Sequence, residues 1–412
     1  MKLTKEKKHL MITILIIALV QMPQLSLTPA IDRIASIMFP DLDSGISVGK
    51  VQEAFALVNV LIPTVGILST IFINRGLFTK RAAIISGLVL LACSGACALF
   101  FNTEFWHIRL LSVILGTGIG LFIVNTASVF FDNFQNDERQ LIAGYQTTGI
   151  NVGGIALGLV GGALASVIWY GGYILLLIGL PIAVLAFITV PKVPRRTSAS
   201  IRKESGSGGM NKMIYYYCVI LFLFMMLYAA GGSNISTHIR QAGYDNPALA
   251  GAAVSVQMAG GAVCGLFFGK ISAKIGDMIV VLSCALMLVG FGLLGLFPNS
   301  IPVTFIAIFI AGMSLSCTAP RMMFAVSSLT NESTSATAAA FINSIAPSGG
   351  GFVSPYVITR TTNALFGEST AMRYLFVAGL AAIFGIVIAI ATLSRRRRGF
   401  TDLGERKESV SA

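Results

Sequence analysis

The stretch MIVVLSCALMLVGFGLLGLF (278–297) holds twenty residues and no charge. As an α-helix it would rise about 30 Å, the thickness of a bilayer hydrocarbon core. Its apolar residues do not alternate with period two, as a membrane strand would require. In lipid each backbone group must be paired within the segment, so the stretch reads as a membrane-spanning helix. Similar runs fill the chain on both sides of it. The expected spans are 9–36, 51–74, 82–101, 107–130, 139–166 and 170–190, then 213–237, 248–270, 278–297, 301–326, 336–359 and 371–393.

Composition agrees with this. Apolar residues make up 55% of the 412 and charged residues 11%, with a mean hydropathy of +0.82. A soluble domain carries about 25% charged residues, so water is not the main solvent. All six cysteines, Cys93, Cys97, Cys218, Cys264, Cys284 and Cys317, fall inside apolar runs, which argues against an external disulfide framework. The head of the chain, with Lys2, Lys5, Lys7 and Lys8 before an apolar run, imitates a signal peptide. It is expected to stay as the first span.

Between the sixth and seventh spans, Pro191–Asn211 carries Arg195, Arg196, Arg202, Lys203 and the tract SGSGG (205–209). It reads as a solvated linker. The expected organisation is a six-helix bundle over 1–190, a cytoplasmic basic linker over 191–212, a second six-helix bundle over 213–393 and a basic cytoplasmic tail over 394–412. With the N-terminus inside, 22 of the 29 Lys and Arg residues fall on the cytoplasmic side, as the positive-inside rule requires. The net charge of +12 is therefore a topology signal and calls for no nucleic-acid partner. The halves are related: Gly116, Asn125, Tyr145, Gly153 and Gly154 are matched, at a constant offset of 196, by Gly312, Arg321, Phe341, Gly349 and Gly350. A parallel repeat of this kind places a solute site near the midplane between halves.

The loop after the eighth span, GKISAKIGD (269–277), resembles the signature loop of the major facilitator superfamily. Gly269, Lys274 and Gly276 match it; Ala273 stands where the acid is usual and Asp277 where a basic residue is usual. The corresponding first-half loop, NRGLFTKR (74–81), keeps Lys80 and Arg81. Asp137-Glu138-Arg139 resembles the family's acid-rich intracellular turn, and Asn343 through Gly351 with Pro355 its eleventh helix. The resemblance implies an all-α polytopic membrane protein of twelve transmembrane helices in two pseudo-symmetric six-helix bundles. It also implies a monomer, with Lys80, Arg81, Gly269, Lys274, Gly276 and Arg139 in gating loops. The first, fourth, seventh and tenth helices would line the central path. The fifth span lacks the Gly-Pro pair usual in the family's drug–proton antiporters.

Polar groups within spans are costly, at least ~2.5–3.5 kcal/mol for a charge at the bilayer centre, so they point to cavities or partners. Arg321 lies deep in the tenth span after Pro320, and a guanidinium there suits a carboxylate, sulfonate or phosphate. A gating or structural pair and snorkelling to the interface are its other readings. Gln21, Gln24, Asn125, Gln146, Asn234, Gln257 and Asn343 can each donate and accept toward a polar solute, or bond a neighbouring helix. Asp32 is the candidate proton carrier, with Arg33 or Arg109 as the expected salt-bridge partner. His238, at the seventh helix's outer end, is expected to be solvated.

These features point to a secondary transporter of a small organic solute, an anion being favoured by Arg321, working by alternating access on a proton or solute gradient. Efflux of hydrophobic drugs is the alternative within transport. A membrane-embedded enzyme or a non-transporting sensor is the alternative outside it, but no nucleophile–base arrangement or metal cluster appears in the spans. No ATP or nucleotide motif is present: GTGIG (116–120) sits mid-span with no preceding strand. No cofactor and no metal are expected. The short loops fit a prokaryotic cytoplasmic membrane, with both termini cytoplasmic.

Overall fold

The computed structural model describes residues 4–42, 44–134, 136–191, 211–329, 338 and 341–397. Most of the linker and the end of the tail lie outside these, as do the side chains of Arg139 and Asn343. Among the described residues every regular element is helical.

The first span is not continuous. Helix α1 (Lys5–Leu19), with Thr4 accepting from Lys7 N at its start, ends where Val20 leaves helical geometry. Two 3₁₀ turns follow, Pro23–Ser26 and Thr28–Ala30, and then α2 (Ile31–Met38). Pro23 opens the first turn and Pro29 is the second residue of the other, since proline has no N–H to continue a ladder. Next come α3 (Ser44–Asn74), α4 (Lys80–Cys97), α5 (Phe105–Asn133), α6 (Asn136–Val167) and α7 (Gly171–Thr189). Thr79 caps α4 by accepting from Ala82 N, satisfying one of the orphan donors of a helix start.

The later helices are α8 (Lys212–Gln241), α9 (Pro247–Ile275), α10 (Met278–Leu296) and α11 (Ile301–Ser328). Then α12 (Ala346–Ser354) lies between π turns Phe341–Ile345 and Pro355–Thr359, followed by α13 (Arg360–Phe366) and α14 (Thr370–Arg397). Ten helices among the described residues are long and apolar enough to cross a membrane, or eleven if the bent first pair is one span.

The described residues fall into two compact units. One lies within Met1–Ser205 and Ile235–Met258, the other within Gly206–Asn234 and Ala259–Ala412. The ends of α8 and α9 that flank their joining loop thus pack with α1–α7. In the first unit α5 uses glycines on two faces. A Cβ on Gly118 would stand 2.8 Å from Gly87 O of α4, and one on Gly120 would stand 2.8 Å from Ile62 O of α3. The row Gly154, Gly158, Gly162 packs on α9: a Cβ on Gly162 would be 2.7 Å from Gly251 Cα. This is backbone-to-backbone approach of the kind lipid-embedded helices use. In the second unit α10 packs against α11 and α14, with Phe291, Met287 and Leu294 fully buried. Gly350 meets α8 closely enough that a Cβ would stand 2.3 Å from Phe222 O.

Candidate functional site

The break in the first span is built by glycines on its neighbours. A Cβ on Gly153 would lie 2.0 Å from Leu19 O, one on Gly161 2.5 Å from Ser26 O, and one on Gly172 2.2 Å from Ser26 O. Only bare backbone leaves room for the 3₁₀ turns. Side chains then satisfy part of the released backbone. Ser26 Oγ is 2.8 Å from Pro23 O and 3.0 Å from Gly172 O, Thr28 Oγ1 donates to Gln24 O at 3.1 Å, and Ser236 Oγ to Pro29 O at 3.0 Å.

Amides on both sides of the break remain unsatisfied. Gln21 Oε1, Gln24 Oε1 and, on α9, Gln257 Nε2 are buried atoms without a hydrogen-bond partner among the described residues. Leu25 and Met258, the immediate neighbours of Gln24 and Gln257, both lie against Gly154. Such buried polar atoms are rare in folded proteins and each calls for an account. A solute's donors and acceptors would supply it. Gln146, half-buried on α6, belongs to the same unit.

At the far end of this broken span, Asp32 is buried and ion-paired with Arg240 of α8. Asp32 and Asp277 are the two acids buried among the described residues. The expected partner of Asp32 was Arg33 or Arg109, and this is corrected. Arg33, adjacent in sequence, projects about 100° around the helix and donates to Ala165 O and Ser166 O, each at 2.6 Å, at the end of α6. Arg109 lies over the Phe105 ring, 4.9 Å from its centroid. His238, expected in solvent, is 1% exposed, because the last turns of α8 are enclosed in the first unit.

In the second unit Arg321 is 7% exposed and donates through Nε to Asp277 Oδ1 at 2.8 Å. Tyr217 OH of α8 donates to Asp277 Oδ2 at 3.1 Å, and the Arg321 guanidinium lies 5.5 Å from the Phe324 ring centroid. Asp277 follows Gly276, whose φ of 59° turns the chain out of α9. At the other end of this unit Arg373, 2% exposed, donates to Asn234 Oδ1, Asn363 Oδ1 and Thr362 Oγ1. It ties α8, α13 and α14 together, a role that no motif in the sequence marks.

The remaining expected residues are dispersed. Asn125 donates to Ser69 Oγ of α3 at 3.0 Å and to Leu121 O at 2.7 Å, and Asn234 serves Arg373. Arg81 donates to Phe187 O and stacks on the Phe187 ring, pinning the start of α4 to the end of α7. Lys80 is half-buried and Lys274 exposed, while Gly269 lies within the backbone of α9.

Comparison with known proteins follows the same lines. A family model described as Major Facilitator Superfamily matches residues 14–355. No curated protein matches the chain by sequence. Among solved structures it is similar to the POT family transporter PepTSo (TM-score 0.74, 12% identity, 97% of this chain and 99% of that one). It is also similar to the nucleoside transporter NupG (0.67, 14%, 92% and 98%) and the human organic anion transporter MFSD10 (0.65, 13%, 94% and 100%). At such identities the likeness is one of fold.

Proposed function

The chain belongs to the major facilitator superfamily and has its transporter fold, and on that premise we propose that it moves a small polar organic solute recognised chiefly by amides at the broken first span. The observation that carries this is the set of unsatisfied buried amide atoms on Gln21, Gln24 and Gln257. The fold itself leaves the solute class open, since peptide, nucleoside and organic anion transporters share it.

The work cycle is alternating access, in which one half moves against the other. Asp32 is the proposed proton carrier: its carboxylate is buried and held by one arginine, so protonation would release Arg240. Both termini are proposed to face the cytoplasm of a prokaryotic cell, in line with the distribution of Lys and Arg.

The organic-anion reading rests on Arg321. Asp277 already balances that charge at 2.8 Å, so a solute carboxylate would have to displace Asp277 during the cycle. A thermal-shift screen on purified protein separates the readings, using carboxylates, sulfonates, phosphates, amines, neutral sugars, nucleosides, small peptides and lipophilic dyes. Stabilisation by a neutral or zwitterionic class that Gln257→Leu weakens supports amide recognition. Stabilisation by anions that Arg321→Ala abolishes supports the anion reading, and dyes alone would indicate drug efflux.

A further inference from the structure

The glycine face of α9 brings its backbone against α11. A Cβ on Gly260 would lie 2.1 Å from Phe309 O, and one on Gly261 would lie 3.0 Å from Ser316 Oγ. One turn further along, this approach brings two thiols together. Cys264 Sγ of α9 and Cys317 Sγ of α11 are 2.9 Å apart, both residues are buried, and neither is in a disulfide.

We propose that Cys264 and Cys317 are a redox modification site, closing to a disulfide inside the membrane when a permeant two-electron oxidant is supplied. Reaching the roughly 2.05 Å of an S–S bond takes less than ~1 Å of movement, which side-chain torsion supplies. The other cysteines differ in setting. Cys93 and Cys97 are partly exposed on α4, Cys284 faces Gly385, and Cys218 lies on α8. In the reaction each thiol gives up its hydrogen and the two sulfurs form one bond. With diamide as oxidant, the two protons and two electrons pass to its N=N bond, leaving the hydrazine. The product ties α9 to α11 three residues before Pro320, the proline inside α11. Both thiols are buried, so a charged oxidant confined to solution should react more slowly than diamide.

The test uses the full chain purified under reducing conditions in detergent, treated with diamide, then denatured and alkylated with N-ethylmaleimide for mass spectrometry. The expected result is loss of two of the six thiols, mapped to one cross-linked pair of peptides holding Cys264 and Cys317, and their return on adding dithiothreitol. Cys264→Ser and Cys317→Ser should each abolish the loss, whereas Cys93→Ser/Cys97→Ser should leave it intact. If a serine variant fails to fold, the alanine variant at the same position serves. Retention of all six thiols in the wild type, or a linked pair elsewhere, would overturn the assignment.

Discussion

Arg321 of α11 and Asp277 at the start of α10 share a buried ion pair, Nε to Oδ1 at 2.8 Å, with Tyr217 OH on the second carboxylate oxygen. Removing one partner of such a pair leaves an uncompensated charge, at a cost of about 3–5 kcal/mol. Arg321→Ala should therefore lower the thermal midpoint sharply, and Arg321→Ala/Asp277→Ala should recover part of the loss. Melting curves of the two variants decide it. Equal loss in the single and double variants would show that the pair contributes no coupling.

Asp32→Asn removes the charge that Arg240 holds while keeping the side chain's volume. In proteoliposomes, solute accumulation driven by a proton gradient should be abolished while solute exchange continues. Undiminished concentrative uptake by the variant would rule Asp32 out as the carrier.

Glycine positions predict packing tolerance residue by residue. Gly153→Ala would set a methyl 2.0 Å from Leu19 O, whereas a Cβ on Gly265 meets nothing within 4 Å. Expression and melting temperature should collapse for Gly153→Ala and stay at wild-type levels for Gly265→Ala.

The amides divide into two kinds. Asn125 spends its donors on Ser69 and Leu121, so Asn125→Ala should cost stability, about 0.6–2 kcal/mol, with solute affinity unchanged. Gln257→Leu removes an atom with no partner among the described residues. It should leave stability intact and weaken solute binding about tenfold, the value of one hydrogen bond of about 1.4 kcal/mol. Titrations of both variants with the solute found by screening test the contrast.

Long apolar runs were readable because the bilayer imposes length and apolarity on each span. Departures within a span were harder to see. The run 9–36 reads as one span, and only Pro23 and Pro29 signalled that α1 stops at Leu19. The amides Gln21, Gln24 and Gln257 were recognisable as costly groups, yet nothing in their spacing separated them from Asn125 and Asn234, which bond other helices. Partners far apart in sequence were the least legible. Pairing Asp32 with Arg240 depends on where two helices cross, and so does pairing Asp277 with Arg321.

The interrupted first span also bears on how the chain enters its membrane. Helix α1 has 15 residues, about 22 Å of rise, short of the hydrocarbon thickness. The unwound stretch after it would carry open backbone groups into lipid, each costing several kcal/mol. The glycines it packs against, Gly153, Gly161 and Gly172, belong to α6 and α7, which leave the ribosome much later. The first span must therefore wait at the membrane, shielded or incompletely inserted, until the later helices arrive, so its completion depends on residues synthesised more than a hundred positions after it.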